Sequence, residues 1–185
     1  MGISFWIILV VVLLVLWIIT TANKLTRKKM KAEQAFADMD VFLTQRYDLI
    51  PNLVSTVKGY SKHEKETFEA VVNARNVAVS AGNMNDKIDA DNNVTEAISK
   101  LFALAESYPE LKANENFVKL QDSLESVEKD LVGARRYFNA AAQSYNTAIK
   151  VIPANIVAKI FGFGPMSMFT ATEEQRKNVK VDFDA

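Results

Sequence analysis

The stretch that decides the fold is NENFVKLQDSLESVEKDLVGARRYFNAAAQSYNTAIKVI, residues 114–152. Its apolar side chains recur every three or four residues without a break, which is the spacing of a buried stripe on an α-helix. The stripe consists of Phe117, Leu120, Leu124, Val127, Leu131, Ala134, Phe138, Ala141, Tyr145, Ala148 and Ile152. It predicts a helix about 58 Å long, which ends at Pro153 because proline cannot continue the helical hydrogen bonds.

A stripe of that length needs a partner, and a second long helix beginning near Lys24 is the one that fits. It carries the same spacing, with Arg46 as its one charged member: Phe36, Met39, Leu43, Arg46, Ile50, Leu53, Val57 and Tyr60. We expect the two helices to pair antiparallel in a coiled-coil-like bundle, with Ile152 level with Met30. This register sets Arg135 beside Tyr47 and Asp48, and Asn139 near Leu43.

Pro51 interrupts the second stripe, and we expect it to kink that helix without breaking it, because the spacing continues on both sides. A polar cluster follows the same seam: Arg46, Asp48, Arg135, Arg136, Asn139 and Asn146. We interpret it as a device that fixes the register, with Asp48 paired to Arg135 or Arg136. A binding site for another protein and a catalytic site are the alternatives.

The rest of the body is also helical in pattern. The helical spacing resumes, on a shifted phase, at Phe68, Val71, Val72, Ala78 and Val79. Residues 80–93 predict a loop because they are rich in Gly, Asn, Asp and Ser, and Asn93 then caps a short helix that ends at Tyr108-Pro109. Residues 154–164 either lie in the membrane interface or pack on the bundle. The tail, 170–185, ends in a segment at 179–183 that predicts a short strand or an extended docking segment, mobile on its own.

Residues 3–19, ISFWIILVVVLLVLWII, predict a transmembrane helix, because the uncharged stretch that continues to Asn23 is long enough to cross a bilayer. A cleaved signal peptide fits less well, since no cation precedes the apolar block and the block is too long. The anchor positions are Ile3, Trp6, Leu13, Trp17 and Ile19, with the two indole rings near the interfaces.

A basic collar follows the apolar block and consists of Lys24, Arg27, Lys28, Lys29 and Lys31. The positive-inside rule places this end in the cytoplasm and the N-terminus outside. The collar also predicts attraction to anionic lipid headgroups. The formal net charge of the whole chain is zero, with 22 basic and 22 acidic residues, so the rest of the body carries a net negative charge.

The composition argues against most catalytic classes. The chain has no cysteine and one histidine, His63, which excludes thiol chemistry, Fe–S clusters and the usual zinc and di-iron sites. His63 and Glu64 are neighbours in sequence and diverge on a helix, so we interpret them as a capping or surface pair. We expect no cofactor, no metal and, given the acidic body, no nucleic acid partner.

Several runs of residues resemble the LemA family, in the right order and over nearly the whole chain. They are Arg46-Tyr47-Asp48-Leu49-Ile50-Pro51-Asn52-Leu53-Val54, Val57-Lys58-Gly59-Tyr60, Tyr108-Pro109-Glu110-Leu111-Lys112-Ala113, Ala134-Arg135-Arg136-Tyr137-Phe138-Asn139, Tyr145-Asn146, Pro153-Ala154-Asn155-Ile156-Val157-Ala158 and the ending at 179–183. Tyr47 departs from the pattern, because many relatives carry a second basic residue there. The resemblance implies a bacterial membrane protein with one transmembrane helix and a cytoplasmic helical bundle, and it implies no reaction.

Together these observations predict an all-α protein with an anchor at 1–23, a helical bundle at 24–165 and an extended tail at 166–185. The expected function is a non-enzymatic scaffold at the bacterial inner membrane that assembles with itself or with other membrane proteins. The expected partners are therefore the lipid bilayer, further copies of the chain and other membrane proteins. The alternative is an adaptor that recruits a signalling partner through the 80–93 loop or the tail.

Overall fold

The computed structural model describes residues 2–61 and 63–170, and within these ranges every regular element is a helix. The helices are α1 (Ile3–Lys58), α2 (Lys65–Ser80), α3 (Met84–Glu106), α4 (Pro109–Lys112), α5 (Glu115–Lys150) and α6 (Ala154–Ile160). The all-α prediction is confirmed for this part of the chain. The segment predicted at 179–183 lies outside the described residues.

The chain divides into two compact units. The first, called here the anchor unit, consists of Met1–Phe42 and Lys129–Met168. The second, called the Arg46 unit, consists of the described residues of Leu43–Glu128 and Phe169–Ala185. Helices α1 and α5 each contribute residues to both.

In the anchor unit, α1 and α5 contact each other in the antiparallel sense. Lys28 Nζ donates to Ser144 Oγ at 2.7 Å, and further along α1 the ring of Phe36 meets the ring of Phe138 edge-on, with centroids 5.5 Å apart. The predicted register is wrong by eight to ten residues, or between two and three helical turns, because paired residue numbers sum to 172 and 174 in these two contacts and to 182 in the prediction. The prediction requires Ile152 to pack, but Ile152 is 83% exposed and the packed end of α5 is formed by Tyr145 and Ile149, which meet Leu25.

Helix α1 continues through Pro51 without a break. Proline has no N–H, so the carbonyl of Tyr47, four residues earlier, loses its helical donor. Arg75 Nε on α2 donates to that carbonyl oxygen at 3.3 Å. The bond from another helix replaces the missing one, and this is a physical reason why the helix tolerates Pro51.

The predicted loop at 80–93 is wrong, because α3 begins at Met84. Its N-cap is Asn83, whose side-chain oxygen accepts the backbone N–H of Asp86 at 2.9 Å. The Asn- and Asp-rich composition suggested a loop, but Ile88, Asp91 and Val94 form a buried stripe at helical spacing. Asn93, predicted as the cap, is an exposed residue inside the helix. In α2, Phe68, Val71 and Ala78 are buried as the spacing predicted, whereas Val72 and Val79 are exposed.

The prediction that α5 begins near Asn114 is confirmed. The side-chain oxygen of Asn114 accepts the backbone N–H groups of Asn116 at 2.9 Å and Phe117 at 3.1 Å. The helix ends at Lys150, three residues before Pro153. These caps satisfy N–H groups that a helix start otherwise leaves unpaired.

Helix α6 ends in a Schellman motif that turns the chain back. Phe163 N–H donates to Ala158 O at 2.9 Å and Gly162 N–H to Lys159 O at 3.4 Å, with Gly162 at φ 69°. A Cβ added to Gly162 would meet nothing within 4 Å. The requirement for glycine here is therefore one of backbone conformation and not of space.

We expect Gly162→Ala to lower the free energy of unfolding by about 1 kcal/mol, because alanine is strained at positive φ. The matched control is Gly133→Ala, inside α5, where an added Cβ also meets nothing. This second change should raise stability by up to about 1 kcal/mol, since alanine favours the helix. Thermal unfolding in detergent, followed by circular dichroism, measures both. Equal effects of the same sign would contradict the assignment of the turn.

Candidate functional site

The most strongly organised polar site lies in the Arg46 unit, around the fully buried side chain of Arg46 on α1. Its guanidinium forms an ion pair with the buried carboxylate of Asp91 on α3. A second pair joins Arg46 Nη1 to Glu128 Oε1 on α5, at 2.6 Å. One cation therefore connects three helices.

Neutral groups complete the site. Arg46 Nη1 donates to Thr95 Oγ1 at 3.1 Å, and Nη2 donates to the backbone oxygen of Asp91 at 3.3 Å. The hydroxyl of Tyr47 donates to the Asp91 carboxylate at 3.4 Å. The Asp91 carboxylate is thus held by two side chains that are adjacent in the sequence.

The charge of Arg46 is stabilised by these carboxylates. Burial by itself lowers the pKa of Arg46, but the charges of Asp91 and Glu128 outweigh it, and the pKa is raised above its ordinary value. The guanidinium therefore remains charged at every physiological pH. A permanently charged, buried and paired Arg cannot exchange protons with a substrate, so the arrangement supports structure and not acid–base chemistry.

The predicted pairing of Asp48 needs correction. Its carboxylate lies 3.8 Å from Arg75 Nη2 on α2, and not against Arg135 or Arg136. The shift in register is the reason, since the pairing was derived from the wrong alignment. Arg135 and Asn139 are half-buried on α5 and belong to the anchor unit, and Arg136 is exposed there. Of the predicted polar cluster, Arg46 is the member that pairs with Asp91 and Glu128.

Asn146 has a different role from the one predicted, and it acts in the anchor unit. Its side-chain Nδ2 donates to Met166 O, and its Oδ1 accepts Met166 N–H, both at 2.8 Å. The hydroxyl of the neighbouring Tyr145 donates to Gly164 O at 2.8 Å. These three bonds hold the chain that follows α6 against α5, and we call Tyr145 and Asn146 the clamp.

The clamp is a neutral device. Burial raises the pKa of Tyr145, with a smaller contribution from the negative charge of Glu33. The hydroxyl therefore stays protonated and can donate to Gly164. Tyr145 also packs in a small apolar cluster with Leu25, Ile149 and Ala158.

The anchor and collar residues lie in α1, and the anchor side chains are exposed, whereas part of the collar contacts α5. The exposed fractions of the anchor side chains are 81% for Ile3, 57% for Trp6, 56% for Leu13, 38% for Trp17 and 49% for Ile19. In the collar, Lys24 and Arg27 are exposed. Lys28 donates to Ser144, Lys29 lies 3.6 Å from Glu33, and the Lys31 ammonium lies 6.0 Å from the centre of the Tyr137 ring.

Sequence reasoning missed Asp91, Thr95 and Glu128. Asp91 was missed because residues 80–93 were predicted to be a loop. It is the charged member of a buried stripe on α3, just as Arg46 is the charged member of the stripe on α1. Two charged residues of opposite sign, each interrupting an apolar stripe, were the available signal. Among residues 2–61 and 63–170, no group of three or more His, Cys, Asp or Glu side chains is placed to hold a metal ion.

Comparison with known proteins identifies the family. The sequence pattern of the LemA family matches residues 35–183. The chain belongs to the LemA family. Magnetosome protein MamQ of Magnetospirillum gryphiswaldense is 24% identical over 164 residues, which cover 75% of this chain and 60% of MamQ. Protein LemA of Metamycoplasma hominis is 24% identical over 164 residues, which cover 85% of this chain and 72% of that protein.

A second magnetosome relative gives a similar result. MamQ 2 of Paramagnetospirillum magneticum is 25% identical over 153 residues, covering 69% of this chain and 56% of the relative. This LemA-family chain therefore spans less than two thirds of the length of the MamQ proteins. The names of these relatives refer to the magnetosome or to LemA, and none of them names an enzyme.

We expect Arg46→Met to lower the free energy of unfolding by about 3–5 kcal/mol, because it leaves the buried Asp91 without its cation. The loss of unfolding free energy in the double variant Arg46→Met with Asp91→Leu should be smaller than the sum of the losses in the two single variants, by about 1–3 kcal/mol. Urea titration of the full chain in detergent, followed by circular dichroism, measures the four proteins of the cycle.

The control for this cycle is the looser pair of the exposed Asp48 and the half-buried Arg75, whose atoms lie 3.8 Å apart in the same unit. Asp48→Ala and Arg75→Ala should be additive within about 0.5 kcal/mol, because surface ion pairs contribute little. An additive Arg46–Asp91 cycle would remove the claim that this buried pair holds α1 and α3 together.

We expect Asn146→Ala to open the segment after α6, because both bonds to Met166 are lost. Loss of two bonds of about 1 kcal/mol each should speed hydrogen exchange at residues 163–168 by at least about tenfold. Hydrogen–deuterium exchange with mass spectrometry measures it. The control is Tyr145→Phe, which removes only the bond to Gly164 and should leave the Met166 amide protected. Unchanged exchange in Asn146→Ala would contradict the role of the clamp.

Proposed function

We propose that this LemA-family chain is a non-enzymatic, membrane-anchored helical scaffold that assembles with itself or organises other membrane proteins at the bacterial inner membrane. The observation that carries the proposal is the continuity of α1 from Ile3 to Lys58. One helix bears both the exposed apolar surface at its start and the buried Arg46 near its end. No loop interrupts the chain between these two features.

The exposed apolar surface supports the membrane assignment. Within the described residues, α1 is the one helix that is long and apolar enough to cross a bilayer, and none of that apolar stretch is buried in the protein. Contact with lipid tails removes this surface from water, which the protein itself does not do. The collar, on the C-terminal side of this stretch, supports an orientation with the N-terminus outside and the bundle in the cytoplasm.

The chemistry of the body supports a role other than catalysis. The buried charged groups of the Arg46 unit are paired with each other, and His63 is exposed in the connection before α2. An open groove of about 370 Å³ is lined by Asn52, Ser55, Thr56, Asn116, Lys119, Leu120 and Ser123. Its hydroxyl groups face no histidine or carboxylate in that lining, so no nucleophile–base pair is present there.

Exposed apolar side chains in the anchor unit support self-assembly. Met30 is 61% exposed, Val41 56%, Val132 44% and Tyr137 53%, all on α1 or α5. Copies that are tethered in one orientation to the same membrane meet at a high effective concentration, so weak contacts are enough. Similarity to proteins named for the magnetosome adds support for an organising role.

The adaptor alternative relies on a loop at 80–93 and on the tail. The loop is not present as predicted, because residues 84–93 belong to α3. The tail at 171–185, its other surface, lies outside the described residues. The tail enters the test below as a deletion, because an adaptor that binds through it should lose its partner while the oligomer persists.

The full-length protein is labelled with one fluorophore per copy and reconstituted in vesicles, so that each photobleaching step of a fluorescent spot reports one copy. We expect several steps per spot at low as well as high protein-to-lipid ratio. Val41→Glu with Val132→Glu should shift the distribution toward single steps, because the added charges oppose contact between copies. Gln34→Glu, an exposed position on α1, adds a negative charge without removing an apolar contact and is the control for added charge. A variant that ends at residue 170 should show the same number of photobleaching steps as the full chain.

Single-step bleaching at every ratio would remove self-assembly from the proposal. If the control variant Gln34→Glu disperses the protein as far as the double variant does, net charge and not the apolar surface controls association, and the proposed contact is wrong.

A further inference from the structure

Helix α6 has two apolar faces, and only one of them packs against the protein. Val157 and Ala158 are buried, at 0% and 3% exposure. Ile156, Ile160 and Phe161 are 57%, 67% and 55% exposed. A seven-residue helix that covers one apolar face and leaves another bare needs a second partner for the bare face.

The position of α6 beside α1 indicates where that partner lies. Ala158 belongs to the apolar cluster that contains Leu25, Tyr145 and Ile149. Leu25 is the third residue after Ala22, so it lies about 4.5 Å further along the helix axis. If Ile3 to Ala22 cross the hydrocarbon core of about 30 Å, Leu25 lies in the headgroup layer, which extends about 5–8 Å beyond the core on each side.

The charge around α6 fits an anionic surface. Residues 131–172 contain no Asp or Glu, whereas Lys150 and Lys159 flank α6 or lie within it. Both lysines are exposed. On the facing part of α1, residues 23–31 are also free of acids. Apolar side chains next to unopposed cations are the pattern of helices that lie in a membrane interface.

A second copy of the chain is a poorer occupant for this face. The bare surface consists of Ile156, Ile160, Phe161 and the preceding Ile152, which is 83% exposed. The same face of a second copy would also present the exposed Lys150 and Lys159, with no acid between residues 131 and 172 to oppose them. An anionic bilayer opposes these cations, whereas two such faces would repel each other.

We propose that α6 is a second membrane contact, with Ile156, Ile160 and Phe161 inserted at the boundary between lipid headgroups and acyl chains. This inference rests on the proposed membrane crossing of α1. A single crossing helix can rotate about its own axis and tilt freely. A contact on one side of α1, fixed through Leu25 and Ala158, selects one rotation and one tilt for the whole helix.

The absence of cysteine from the chain makes a depth measurement direct. Single cysteines at Ile156→Cys and Ile160→Cys, each spin-labelled in the full-length protein, are reconstituted at low protein-to-lipid ratio in vesicles of phosphatidylcholine and phosphatidylglycerol. Collision with oxygen, which concentrates in the acyl chains, is compared with collision with a water-soluble nickel chelate. Leu13→Cys marks the bilayer core and Asp38→Cys, exposed on α1 of the same unit, marks water.

We expect the oxygen-to-nickel ratio at both α6 positions to be several-fold higher than at Asp38 and lower than at Leu13. A ratio at Ile156 and Ile160 equal to that at Asp38 would overturn the proposal. Protection from nickel without enrichment in oxygen, increasing with protein-to-lipid ratio, would assign the face to a second copy and also overturn it. A water-like ratio at Leu13 would instead reject the membrane crossing of α1, so the two failures are distinguishable.

Discussion

The Arg46 unit depends on one constraint, which is that a buried guanidinium cannot be left unpaired. Burying a charge without a partner costs several kcal/mol, which is a large fraction of the stability of a whole domain. Asp91 from α3 and Glu128 from α5 meet that requirement, and Thr95 and Tyr47 orient the groups around it. A shift of one helix by a single turn would break these pairs, so the buried cation selects one arrangement among those that the apolar stripes alone permit.

The short segment from Arg46 to Pro51 concentrates these constraints. Arg46 binds α3 and α5, the Tyr47 hydroxyl binds Asp91, and the Tyr47 carbonyl accepts from Arg75 on α2. Pro51 is what frees that carbonyl, so the proline that weakens the helix also creates an acceptor for a neighbouring one. The same segment carried much of the resemblance to the LemA family, and its contacts give a physical reason for that combination of residues.

Much of this fold follows from the period of the apolar residues, and the errors have identifiable causes. Helices α1 and α5 could be predicted because the apolar stripe of each runs for more than two turns without a slip. Their register could not be predicted, because apolar stripes of similar side chains permit several alignments. The polar pairs that choose among these alignments lie far apart in the sequence. The part of α3 from residue 94 onward was predicted, whereas residues 84–93 were missed because Asn and Asp favour loops on average. The buried face at Ile88, Asp91 and Val94 decides the structure of that part. The clamp could not be predicted, since Asn146 bonds to a backbone whose path depends on the turn at Gly162.

The anchor unit shows how the chain beyond α5 is kept at one end of the helix pair. Gly162 reverses the chain after α6, and the clamp then holds residues 164–166 along α5 through backbone groups. Backbone bonds fix the path of the segment without using its apolar side chains, which therefore remain available for packing. Phe163 and Met166 pack against the cluster of Leu25 and Tyr145, and α6 is consequently held on two sides, by α1 and by its own returning chain. A short helix held in this way keeps its exposed isoleucines at a fixed distance from the apolar part of α1, which a flexible extension could not do.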